Sequence, residues 1–175
     1  MKYYKYLDIE YKEFSKKLGL YVRENKNKFN SFWTHLNTPL ILEQIPETQK
    51  MFDPLHITVR HISIIITYNT NVIEGIHKDY TDVDLRINVP IINCQGSTTN
   101  FYQTNTEPEV RMLDNGIPYY IYDYKDCKLV DSFCLDRPAI LRVRELHQVI
   151  ANKNKLPRIS CTIEFKEDIS HLMED

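Results

Sequence analysis

The sequence predicts a mainly β domain with helices at its N-terminal end, arranged as a small antiparallel barrel or sandwich. Three observations carry that prediction. Residues rich in Ile, Val and Thr dominate after Leu55 but not before it, turn residues punctuate the segments they form, and no alternation of strand and helix marks a parallel sheet. With 175 residues the chain is long enough for one domain with a proper core and short for two. The expected division is helical support over 1–54, a β core over 55–167 and a loose acidic tail over 168–175.

Taken in order, Asp8 to Asn25 carries Ile9, Phe14, Leu18, Tyr21 and Val22 at spacings of three to five among Lys and Glu, the pattern of an amphipathic helix. Asn37-Thr38-Pro39 reads as a helix start, and a second short helix is expected from Glu47 to Phe52. Strands follow at Ile57–Tyr68, Leu85–Ile92, Thr98–Gln103, Tyr119–Tyr124, Ala139–Leu146 and Arg158–Phe165. Asp114-Asn115-Gly116 and Cys94-Gln95-Gly96-Ser97 are the clearest turns between them.

Composition narrows the function classes. Lys and Arg (22) nearly balance Asp and Glu (24), a net charge of -2 that lacks the overall basic footprint of a dedicated nucleic-acid binder. No apolar run approaches the roughly 18 residues of a membrane span, and Met1-Lys2-Tyr3-Tyr4-Lys5 leads into charged sequence, so a soluble, cytoplasmic protein is expected. Cys94, Cys127, Cys134 and Cys161 match no zinc-ribbon or CxxC spacing and are expected as free thiols. Few glycines and many Tyr, Asn, Lys and Ile fit an AT-rich, viral or phage source.

The candidate chemistry begins at His77-Lys78-Asp79. In an extended chain His77 and Asp79 project from the same side and can share one metal ion. A third ligand candidate, His147, follows 68 residues after Asp79, the distance a β-barrel needs to bring the chain back beside its starting strand. Two imidazoles and one carboxylate leave positions open on iron for oxygen and a chelating co-substrate. In the last strand Ile159, Cys161, Ile163 and Phe165 form an apolar face, while Arg158, Ser160 and Thr162 turn the other way, into the barrel. A guanidinium there calls for an anion, and its planar fork matches a carboxylate. On Leu85–Ile92 the same alternation puts Arg86 and Asn88 on the polar face, where two readings stay open: they reach the metal-side end of a bound keto acid, or they are solvated residues of an edge strand, as Pro90 with no N–H to donate suggests. Tyr68 and Tyr102 are further candidates to hydrogen-bond that ligand. His35, His56, His61 and His171 fit the ligand roles less well.

These residues resemble the H-x-D, distal H, R-x-S signature of the iron(II)- and 2-oxoglutarate-dependent dioxygenases, here His77, Asp79, His147, Arg158 and Ser160. The Leu85-Arg86-Ile87-Asn88-Val89-Pro90 stretch is more loosely similar to the aspartyl/asparaginyl β-hydroxylase-like branch, with Asn88 where that branch has histidine. The resemblance implies a double-stranded β-helix (a jelly roll, cupin-like), Fe(II) on His77, Asp79 and His147, and 2-oxoglutarate clamped through its far carboxylate by Arg158 and Ser160. It also implies hydroxylation of a substrate coupled to release of succinate and CO2. The primary substrate stays open among protein side chain, small molecule and nucleobase. A jelly-roll binding or structural module without turnover, such as a viral accessory protein, is the alternative, and a cupin-type metal enzyme that uses no keto acid is a third.

Overall fold

Period-two alternation shapes the strands, and the clearest case lies at the end of the chain. The computed structural model describes residues 1–29, 32–68, 75–79, 81–112, 118–151 and 153–174. Among these the chain is mainly β, with two six-stranded antiparallel sheets. The first sheet contains β1 (Tyr4–Tyr6), β2 (Trp33–His35), β3 (Val59–Thr67), β5 (Leu85–Ile92), β10 (Ala139–Arg142) and β12 (Arg158–Phe165), in the spatial order β1-β10-β5-β12-β3-β2. The second contains β4 (Ile76–His77), β6 (Thr98–Gln103), β7 (Glu109–Met112), β8 (Pro118–Tyr122), β9 (Lys128–Cys134) and β11 (His147–Ile150), in the order β7-β8-β4-β11-β6-β9.

Three helices, α1 (Lys12–Glu24), α2 (Thr38–Gln44) and α3 (Glu47–Lys50), cover one face of the first sheet. Phe14, Leu18 and Val22 of α1 pack with Ile62, Ile64, Ile87, Val89, Cys161 and Ile163 in the main core. Each isoleucine fully buried there contributes on the order of 2 kcal/mol. Asn37 caps α2 by accepting from the Leu40 N–H at 3.2 Å, as the Asn-Thr-Pro start predicts.

The Leu85–Ile92, Thr98–Gln103 and Arg158–Phe165 segments are strands at the predicted bounds, and the Cys94–Ser97 turn closes with a Ser97 N–H to Cys94 carbonyl bond of 3.2 Å and Gly96 at φ +90°. Several expectations are corrected. The N-terminal 54 residues are not only helical support, since β1 pairs with β10 and β2 with β3. The tail is not loose: Ile169 and Met173 are buried against the main core through a short 3-10 turn, Ser170–Met173. The expected Ala139–Leu146 strand is shorter, β10 ending at Arg142, and β11, beginning at His147, is a separate strand that was not expected. β9 and the short β7 were not expected; β9 mixes Asp131 and Ser132 among its apolar residues and is recruited by pairing with β6. Asp114-Asn115-Gly116 lies outside the described residues. All four cysteines are free thiols.

Candidate metal centre

In the second sheet β11 runs antiparallel to β4 with His147 directly opposite His77, so neighbouring strands present the two rings on the same side. The ring centroids are 4.6 Å apart. Asp79 lies two residues past His77, and its N–H donates to the Val143 carbonyl at 3.0 Å, which turns the chain so that the carboxylate faces both rings. Asp79 Oδ1 is 3.6 Å from Nε2 of His77 and 3.6 Å from Nε2 of His147. One ligand atom from each residue lies within 4.8 Å of the others, a set able to hold a metal ion.

Both rings are held from behind by backbone carbonyls. Nδ1 of His77 is 2.9 Å from the Gly75 carbonyl and Nδ1 of His147 is 2.9 Å from the Glu145 carbonyl. A carbonyl only accepts, so each Nδ1 carries the proton and each Nε2 keeps its lone pair toward Asp79. Gly75 also lets β4 lie close against β8, because a Cβ there would stand 2.9 Å from Ile121 Cγ2. Burial first, and the charge of His77 next, push the His147 imidazole down to about 4, so it is neutral and able to ligate at pH 7. Burial raises the Asp79 carboxyl, but the neighbouring His77 and His147 rings and the Arg86 guanidinium outweigh that and hold it below the usual range. At neutral pH the partner that stays charged is Arg86.

Arg86 therefore has a different place from the one expected of it. Its Nη1 donates to Asp79 Oδ2 at 2.6 Å, its Nε and Nη2 reach Glu164 Oε1 at 2.9 and 2.6 Å, and Nη2 also donates to Thr81 Oγ1 at 3.0 Å. The guanidinium also sits 5.4 Å from the Trp33 ring centre. With its donors spent on two carboxylates and a hydroxyl, Arg86 orients Asp79 rather than a keto acid. The pair of carboxylates exceeds the single guanidinium by one negative charge, which favours a dication between the neutral imidazoles.

The first sheet faces this centre with the polar side of β12. Arg158 is 2% exposed and donates from Nη1 to Ser160 Oγ at 3.2 Å. Thr162 and Glu164 continue the same face, and Glu164 reaches Asp79 through Arg86. Across the sheet Asn88 lies opposite Thr162, with its Oδ1 buried and lacking a hydrogen-bond partner, an acceptor that a ligand hydroxyl or an ordered water would satisfy.

The two tyrosines are elsewhere. Tyr68 is 54% exposed and donates to the Phe29 carbonyl at 3.0 Å. Tyr102 follows an irregularity between Phe101 and Tyr102, and its hydroxyl lies between Asn100 and Gln148 on the side of the second sheet away from His147. Neither faces the metal ligands. His35 is held by the Ser63 hydroxyl at 2.8 Å. The residues that sequence reasoning missed are Glu164, Thr81 and Trp33. Glu164 was within reach, since it continues the Arg158, Ser160, Thr162 parity, whereas Thr81 and Trp33 meet Arg86 only through tertiary packing.

No protein-family model matches the chain, and no curated protein matches it in sequence.

Proposed function

We propose that the protein is an iron(II)- and 2-oxoglutarate-dependent oxygenase that hydroxylates its substrate. The observation that carries this reading is the pairing of two features across one polar interior: His77, Asp79 and His147 on the second sheet, and the buried Arg158–Ser160 pair on the first. Two imidazoles and one carboxylate with positions left open are the donor set of non-haem Fe(II) oxygenases. The strand order supports the same reading. β3, β4, β5, β6 and then β9, β10, β11, β12 alternate between the sheets, in spatial orders β10-β5-β12-β3 and β4-β11-β6-β9, an order that a double-stranded β-helix with β7 and β8 as an insertion would have.

Bound together, the iron and the 2-oxo acid would supply the oxidising power for C–H hydroxylation. The chain's own contribution is positional. His77 and His147 offer Nε2 because backbone carbonyls fix their tautomer, and Asp79 offers Oδ1 because Arg86 occupies Oδ2. Arg158 stays charged at any working pH, and its fork matches the distal carboxylate with Ser160 as a further donor. The test is the visible charge-transfer band expected when 2-oxoglutarate is added to the anaerobic Fe(II)-loaded protein. A band that Arg158→Ala removes supports the reading. A protein that takes up Fe(II) without the band would be a metal-binding module or a cupin-type enzyme.

A further inference from the structure

A second feature lies outside the barrel interior. Between the first turns of α1 and the loop after β5 the surface opens into a groove of about 650 Å³, in the size range of small-ligand sites. Lys12 and Lys16 of α1 line one wall, and Lys153 and Lys155, from the loop leading into β12, line another. Among the lining residues a single carboxylate, Asp136, stands against these four ammonium groups. Asp136 already accepts from Arg137 Nε at 3.3 Å, and none of the four lysines forms an ion pair among the described residues. A chain whose net charge is -2 thus gathers a local excess of three positive charges in one concavity.

The walls are fixed before any ligand arrives. Asn154 donates Nδ2 to the Asn93 and Gln95 carbonyls, at 2.5 and 2.9 Å, and Asn93 donates to the Pro157 carbonyl at 3.0 Å, so the two loops are stapled together. Ser15 ties α1 to β5 through the Pro90 carbonyl at 2.7 Å. The floor is Cys94, a thiol that burial keeps protonated and neutral. Ammonium groups that line one groove repel one another, and a polyvalent anion relieves that cost. Point-charge ammonium groups, with no planar guanidinium among them, suit tetrahedral phosphates better than single carboxylates. At the start of α1 the Glu10 carboxylate accepts the Lys12 N–H at 3.0 Å and Glu13 lies in the first turn, so the positive character of the groove comes from its lysines and not from the helix end.

We infer that this groove binds an oligophosphate, two or more linked phosphates such as a nucleoside di- or triphosphate carries. The test is calorimetric titration of the purified full chain with inorganic tripolyphosphate, ATP and orthophosphate in turn, without divalent cations. Tripolyphosphate and ATP should bind 1:1, each about tenfold or more tighter than orthophosphate, and weaken steeply as salt rises from about 0.1 M toward 1 M. The paired reversals Lys12→Glu with Lys16→Glu, and Lys153→Glu with Lys155→Glu, should each weaken binding about tenfold or more, with circular dichroism unchanged. Lys50→Glu, on the exposed side of α3, should alter it less than about twofold. ATP binding tighter than tripolyphosphate would identify the nucleotide as the source, and equal binding would assign recognition to the phosphates alone; both support the site. Orthophosphate binding as tightly as tripolyphosphate would overturn it, as would loss at Lys50→Glu equal to that at the groove pairs, or no binding up to millimolar ligand. The readout is independent of iron, so its failure leaves the oxygenase reading intact and its success does not rescue it.

Discussion

On the helix side of β12, Ile159, Cys161, Ile163 and Phe165 pack into the main core; on the other side Arg158, Ser160 and Thr162 are as deeply buried but polar. One strand thus lines two interiors of opposite chemistry. The apolar side does what cores do, removing hydrocarbon from water. The polar side, joined by Ser63 and Thr67 of β3 and by Arg86 of β5, forgoes that gain and must satisfy each polar group it buries. Its groups are held by hydrogen bonds and ion pairs instead, and the cluster able to hold a metal lies against it. The difference separates what folds the molecule from what equips it to act.

The sharpest way to break this comparison is to cut each side in turn. Ile163→Ala, on the helix side, should cost about 2–5 kcal/mol in urea denaturation, whereas Thr162→Val, one residue away, should cost less than about 1 kcal/mol. Equal losses would mean that the two interiors are energetically alike.

Next in size is a pH effect confined to the polar side. His147 has a native value of about 4 against 6.5 for the free side chain. Between those values the unfolded chain binds a proton that the folded chain refuses, so stability of the metal-free protein is full above pH 6.5 and falls as pH drops toward 4. The loss should be on the order of 3 kcal/mol, read as the change in urea midpoint, and His147→Leu should flatten the profile in that window.

On the oxygenase reading proposed above, Arg158→Met should raise the dissociation constant for 2-oxoglutarate about 100-fold, or about 2.7 kcal/mol, while unfolding free energy moves by less than about 1 kcal/mol. A large stability loss with little effect on co-substrate binding would make that arginine a scaffold element. The smallest effect is expected at Arg86→Met. Releasing Asp79 Oδ2 should weaken metal binding by about 10–100-fold in a chelator competition, the usual consequence of losing a group that orients a ligand.

Much of the first sheet was legible beforehand, and the second much less so. β5 and β12 were readable because eight-residue strands with one apolar face repeat their signal several times over. β4 is two residues long and β11 four, too short for periodicity to register, and both exist because they pair with each other and with longer neighbours. His77, Asp79 and His147 were found as a set from donor chemistry and spacing, not from strand pattern. Tyr102 was misplaced because its side depends on a register shift next to Phe101, and Arg86 because its two carboxylate partners lie elsewhere, Asp79 in the segment after β4 and Glu164 on β12.

By itself the sequence determined the β character of the chain after Leu55, the inward and outward faces of its longest strands, and the residue types from which a metal site can be assembled, because alternation and donor chemistry are local properties. Tertiary structure alone decided that His77 stands opposite His147, that Arg86 grips Asp79, that two tyrosines turn away, and that two pairs of lysines far apart in the chain share one groove. Those outcomes depend on register between strands dozens of residues apart, which is set by the packing of whole sheets and leaves no trace in any short stretch of residues.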